Sequence, residues 1–143
     1  MKTFQIDILA ADDPFYTGPC ESLIVPTSQG KYGIMANHRN IIISLVPGAM
    51  FYRPQGKETK VVAISHGLVK VENNEVLVLL ASVEQVEDID ANRAKRAADE
   101  AREIILHSKS KKEHHDAQAR LARAMSRLRV KDSYGISQAR RRK

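Results

Sequence analysis

The feature that most constrains this chain is the change of character at Glu87-Asp88-Ile89-Asp90-Ala91-Asn92-Arg93-Ala94. Ahead of it, short apolar runs alternate with Gly, Pro and Asn turns, which is the pattern of an all-β region. Beyond it, Ala, Lys, Arg and Glu recur at three-to-four spacing, with neither Gly nor Pro until Gly135. That is the pattern of helix. Asp90 is placed to cap the helix, its carboxylate accepting from a free backbone N–H, while Glu87 and Asp88 put negative charge beside the positive end of the helix dipole. Two unlike parts meet here.

In the first part, Thr3 to Ile8 alternates polar and apolar residues and predicts a half-buried strand. Asp12-Asp13-Pro14 predicts a turn, Phe15-Tyr16 a short strand broken by Gly18-Pro19, and Ser22–Val25 a third strand. Tyr32–Met35, Ile41–Val46, Ala49–Arg53, Lys60–Ser65, Leu68–Val71 and Glu75–Ala81 follow. Pro54-Gln55-Gly56-Lys57 and Asn73-Asn74 supply turn chemistry. Turn signals roughly every ten residues allow about eight to ten strands, which bury one face each by folding into a sandwich or flattened barrel. In the second part Ala94, Ala97, Ala98, Ala101, Ile104 and Ile105 share one face. A second face holds Ala117, Leu121, Ala124, Met125 and Leu128, and Ser108-Lys109-Ser110 breaks the two helices apart. Alanine lets helices approach closely but buries little apolar area, so the expected hairpin is one that can open.

The predicted class is therefore α+β: an N-terminal antiparallel β-sandwich of about ten strands, then a C-terminal antiparallel two-helix hairpin. The expected boundaries are a sandwich over residues 1–86, a hairpin over 87–133 and a basic disordered tail over 134–143. An apolar fraction of 43% and a charged fraction of 28% are those of a soluble globular protein. The chain has no apolar run long enough to span a bilayer, its start lacks a signal-peptide core, and its single cysteine, Cys20, fits a reducing compartment.

Charge is unevenly placed. Residues 1–112 hold 14 Lys/Arg and 14 Asp/Glu, whereas residues 113–143 hold nine basic residues against Glu113, Asp116 and Asp132. The whole net charge of +6 lies in the last quarter, which points to an acidic partner there. Arg120, Arg123, Arg127 and Lys131, spaced three, four and four, line one face of the second helix, with Arg93 and Arg102 on its antiparallel partner. Converging guanidinium groups repel unless an anion lies between them, and phosphate suits their forked geometry.

Catalytic motifs are missing. There is no Gly-x-Ser-x-Gly, His-Glu-x-x-His or phosphate-binding glycine loop. Ser65-His66 places two neighbours on opposite faces of a strand, so they cannot act as nucleophile and base. His114-His115 diverge on a helix and lack a ligand three or four residues away. A small nucleic-acid-binding protein with a β-barrel and a basic helical arm is the alternative, although the sheet region is neutral and poor in aromatics for stacking bases. A membrane-lying helical arm is a weaker reading, because its apolar face is mostly alanine.

One family unites these features. Gly30-Lys31-Tyr32-Gly33-Ile34 with His38 behind, Pro47-Gly48, Ser65 to Val71, Glu87-Asp88-Ile89-Asp90 and Arg123 to Leu128, in this order, resemble the ε subunit of the F-type ATP synthase. The resemblance runs from the first strand to about Val130. It implies a non-catalytic central-stalk subunit of a proton-translocating enzyme, peripheral on the cytoplasmic face of the cell membrane, with no membrane insertion and no nucleic-acid partner. By the same resemblance, the sandwich grips the γ subunit and rests on the polar loops of the c-ring, where Lys31 and His38 fall. The hairpin inhibits ATP hydrolysis by extending into the α and β subunits of the catalytic head, meeting them with Arg120, Arg123 and Arg127. No cofactor is required, but ATP is implied as a regulatory ligand, since Ile89-Asp90-Ala91-Asn92-Arg93-Ala94 matches an Ile/Leu-Asp-x-x-Arg-Ala nucleotide motif. Glu84, Ile89, Asp90 and Ala94 would hold adenine and ribose, and Arg93, Arg123 and Arg127 would approach the phosphates. Three positions depart from the family pattern. Glu100 stands where nucleotide-binding members can carry an arginine, Lys31 replaces a common acidic residue, and Met35-Ala36-Asn37-His38 replaces Leu-Pro-Gly-His.

Overall fold

The computed structural model describes residues 2–11 and 13–142, with residues 136–142 described by backbone alone. The chain divides into two compact units, residues 1–84 and residues 85–143.

The first unit is built from nine strands, β1 (Phe4–Ala10), β2 (Asp13–Thr27), β3 (Gly30–Met35), β4 (Ile41–Leu45), β5 (Gly48–Pro54), β6 (Lys60–Ile64), β7 (Gly67–Glu72), β8 (Glu75–Leu80) and β9 (Val83–Gln85). They are ordered β4-β7-β8-β1-β2-β5-β6-β9, with β3 also on β2. One hydrogen-bonded sheet makes two layers because β2 serves both. Its first half pairs β1 antiparallel from Asp13 to Cys20, and its second half pairs β3 over Ser22–Thr27 and β5 over Cys20–Ile24. A register shift between Cys20 and Ser22 marks the crossing. The β1–β8 pair is parallel; the other printed pairs are antiparallel.

Period-two alternation decides what is inside. Phe4, Ile6 and Ile8 of β1, Leu23 and Val25 of β2, Met50 and Tyr52 of β5, Val69 and Val71 of β7 and Val76 and Val78 of β8 form one core with Ile34, Leu45, Val62, Ile64 and Leu80. Full burial of a side chain of this size is worth about 1.5–3 kcal/mol. Gly67 shows how tight the β7–β8 pair is: a Cβ there would fall on the Leu79 carbonyl and against Leu80.

The expected break at Gly18-Pro19 does not occur. Gly18 takes φ +153°, and Pro19 stays in the ladder opposite Gln5, so β2 continues through both. Turn chemistry behaves as expected at Asn73-Asn74, where both residues take positive φ, +51° and +64°, and close the β7–β8 hairpin.

The second unit opens with a short 3-10 turn (Val86–Asp88), then α1 (Ala91–His107) and α2 (Lys111–Arg142). Asp90 caps α1, its Oδ1 accepting from Arg93 N at 3.0 Å. Ser110 caps α2 in the same way, its Oγ accepting from Glu113 N at 3.0 Å. Ser110-Lys111-Lys112-Glu113 has the spacing of a capping box. The helices pack on each other, with Ala94, Ala98, Ala101, Ala117 and Ala124 buried. α2 continues past residue 133 as far as Arg142, into the stretch 134–143 where a disordered tail was expected. Side chains from 136 onward, Arg140 to Lys143 among them, lie outside the described residues.

Candidate functional site: an arginine pocket in the hairpin

Small residues on both helices leave a hollow along the hairpin. Ala97, Ala101 and Ile104 of α1 and Ala124 of α2 line a pocket of about 180 Å³, and Arg120, Arg123, Arg127 and Glu100 complete its walls. The three arginines follow from helical spacing, since i, i+3 and i+7 return to one face. Arg123 and Arg127 are half-buried and Arg120 is exposed. Three guanidinium groups beside one carboxylate make a pocket suited to an anion with several oxygens.

The other predicted nucleotide residues stand elsewhere. Asp90 is engaged as the α1 cap, and Ile89 and Ala94 are buried at 3% and 0% exposure. Arg93 is exposed, and neither it nor Arg102 lines the pocket. Arg102 instead pairs with Asp99 at 3.2 Å and donates to Met125 Sδ at 3.3 Å. Lys131, the last of the basic stripe, donates from Nζ to the Val86 carbonyl at 3.2 Å and so secures the 3-10 turn. Glu84 lies in β9, in the first unit, apart from the others in the chain's division.

Sequence reasoning did not single out Ser126. It is 2% exposed, and among the described residues its Oγ is a buried side-chain polar atom with no hydrogen-bond partner. Helical spacing from Val130 could have flagged the face but not the orphaned hydroxyl, and Ala122, one turn earlier, is exposed.

In the first unit Lys31 is exposed, and its ammonium lies 5.1 Å from the centre of the Phe51 ring. His38 is held at both ring nitrogens, Nε2 2.8 Å from Tyr32 Oη and Nδ1 2.8 Å from the Arg39 carbonyl. Its loop is pinned by asparagines. Asn74 Oδ1 accepts from Asn37 N at 2.6 Å, Asn40 Oδ1 accepts from Asn73 N at 2.9 Å, and Asn74 Nδ2 donates to the Thr3 carbonyl at 3.0 Å. This latch was invisible in the sequence, because its partners lie more than thirty residues apart.

Groups that could suggest catalysis have structural work. Ser65 Oγ accepts from Ser82 N at 2.8 Å, while His66 is exposed. Cys20 is buried, its Sγ donates to the Ser22 carbonyl at 3.1 Å, and burial pushes the thiol pKa up, away from reactivity. His114 Nδ1 lies 3.3 Å from Ser108 Oγ in the interhelical turn. Among the described residues no group of three or more His, Cys, Asp and Glu could hold a metal, and no helix is long and apolar enough to cross a membrane. The aromatics Phe15, Tyr16 and Tyr52 pack edge-on or tilted against one another, with centroids 6.4 and 5.3 Å apart, rather than forming an open platform for bases.

Fold and site define a two-part protein: a β-sandwich, then a helical hairpin whose seam carries an arginine-lined pocket. Its sequence matches, over residues 3–86, the family described as the ATP synthase Delta/Epsilon chain beta-sandwich domain and, over residues 87–132, the long alpha-helix domain of the same chain. The chain therefore belongs to the ATP synthase delta/epsilon chain family. It is 34% identical to an ATP synthase epsilon chain of Nitratidesulfovibrio vulgaris (strain DP4), over 91% of this chain and 96% of that one. It is also 34% identical to the epsilon chain of Ruminiclostridium cellulolyticum, over 90% and 95%. A chain of the Euglena gracilis mitochondrial ATP synthase structure shares the fold with a TM-score of 0.76 at 20% identity, covering 88% of this chain and 79% of that one. None of these comparisons supports the nucleic-acid alternative.

Proposed function

We propose that this chain works as the ε subunit of an ATP synthase, a non-catalytic rotor part that couples c-ring rotation to the catalytic head and restrains ATP hydrolysis through its hairpin. The carrying observation is that both family parts match in order across residues 3–132, with little of the chain left over. In this role the sandwich grips γ and rests on the c-ring at Lys31 and His38. It holds the subunit at the cytoplasmic face of the membrane without inserting. The asparagine latch supports that reading by fixing the His38 loop before any partner arrives. Lys31 in place of an acid calls for a compensating acidic residue on the ring loop it meets.

The hairpin is the regulatory arm. Alanine burial in its seam gives a closed form of modest stability, as a switch needs. Extended, its Arg120, Arg123 and Arg127 would meet acidic segments of the α and β subunits. Closed, the same arginines face the pocket, and ATP is the ligand we assign to it. The nucleotide would lie along α1, its base end beside Arg93 and its phosphates at Arg123 and Arg127. Arg93 to Glu100 spans about 10 Å of helix at about 1.5 Å per residue, a reach an extended nucleotide covers. Binding favours the closed form by RT ln(1 + [L]/Kd), about 1.4 kcal/mol at ten times Kd.

The test is ATP hydrolysis by the assembled enzyme with and without residues 89–143. We expect hydrolysis to rise on truncation, and an unchanged rate would remove the inhibitory role.

A further inference from the structure

A helical hairpin has one end that the chain itself ties and one that it does not. Ser108 to Ser110 join α1 to α2 at the turn, so the helices part most readily from the opposite end, where α2 returns to the start of the unit. The alanine seam offers little apolar area to resist that parting. At the untied end, however, α2 is fastened to Val86, the fully buried first residue of the 3-10 turn. The Val86 carbonyl accepts from Ile89 N at 3.2 Å, which closes the turn, and from Lys131 Nζ at 3.2 Å. Two donors occupy both lone pairs of this oxygen, and one of them is an ammonium, which makes the stronger kind of hydrogen bond. One helical turn on, α2 passes over the Val86 side chain at Gly135. A Cβ there would meet Val86 Cγ1 at 3.9 Å and the Lys131 stem at 3.6 Å, ordinary contact distances. Lys131 lies inside the stretch matched by the family's helical part, and Gly135 lies just beyond it.

From this we infer that Val86, Lys131 and Gly135 form a clasp that governs opening of the whole hairpin. It is separate from the arginine pocket, which none of the three residues lines. While it holds, the untied end of α2 stays on the turn that precedes α1. Once it lets go, the alanine seam has only its own small burial to keep it shut. Gly135 weakens the device. Glycine is a poor helix former, and alanine would fit at this position without displacing a neighbour, so the clasp is looser than its geometry allows. Its effect on ATP hydrolysis rests on the regulatory reading above, whereas the clasp itself does not.

The experiment is hydrogen–deuterium exchange of the full chain, read by mass spectrometry, for the native sequence, Lys131→Met and Gly135→Ala. Methionine keeps an aliphatic stem and removes the ammonium, and unchanged exchange across residues 1–84 checks that the sandwich is intact. We expect Lys131→Met to speed exchange about fivefold in both helices. The effect should reach Ala101, about 15 Å along α1 from its first residue. Gly135→Ala should slow exchange over the same stretches by about twofold to fivefold. Faster exchange in Lys131→Met confined to residues 86–89 and 127–135 would make the contact a local one and overturn the inference. Exchange unchanged in both variants would overturn it as well. Because exchange is read on the chain alone, either failure leaves the truncation test of the inhibitory role standing.

Discussion

Tyr52 is 5% exposed in the sandwich core, its ring against Tyr16 and Phe15. Burial, with smaller contributions from the charges of Tyr16 and Cys20, pushes its phenol pKa up to about 12. The folded protein therefore holds this proton to higher pH than the unfolded chain, whose phenol titrates near 10.0. The stabilisation is complete below about pH 10 and is lost as pH climbs towards about 12, because there only the unfolded state has released the proton. Cys20 and Tyr16 are shifted upward for the same reason and lean the same way. We expect urea midpoints to fall across this alkaline window, and Tyr52→Phe to flatten the fall. An identical slope in the variant would mean that the phenol is not the titrating group. Nothing in the sequence near Tyr52 announced this environment, which is set by the register of β5 on β2.

Among the elements, the helices were the more legible. Three-to-four spacing of alanine identified the buried face, and Asp90 and the Ser108–Ser110 break gave both ends of α1 and the start of α2 to within a residue, since a cap acts on its own neighbours, whereas the far end of α2 was placed too early. β2 was not legible as one strand. Gly18-Pro19 is a breaker when judged locally, and only pairing with β1 carries the chain through it. The three-residue β9 carries too little alternation to be seen. The pocket was legible in its arginines, but its fourth wall was marked only through the family resemblance, because Glu100 joins them only once α1 and α2 are in register. One substitution tests the element-level argument. Asp90→Ala removes the carboxylate that accepts from Arg93 N and should cost about 1 kcal/mol of helix stability, with Asp90→Asn largely retaining it. Helical ellipticity on heating would report the loss, and equal melts for native and Asp90→Ala would show the cap to be idle.

For the molecule as a whole, the two units draw on different resources. Residues 1–84 hold a core of large aliphatic side chains closed through a nine-stranded pairing scheme, whereas the seam of the hairpin is largely methyl groups. An isolated helical pair of this kind is marginal in water. A fragment of residues 1–84 should accordingly melt as a cooperative unit, and a fragment of residues 85–143 should show shallow, non-cooperative loss of helix. A sharp transition in the second fragment would contradict the picture of a weakly zipped arm.

Ser126 carries a cost of another kind. Among the described residues its hydroxyl is a buried polar atom with no hydrogen-bond partner, a deficit of about 1–3 kcal/mol. It stands two residues past Ala124, about 200° around α2 from the buried alanines of the seam, so parting the two helices need not relieve it. Whatever wets that side of the rod is favoured by the same amount, regardless of what the seam does.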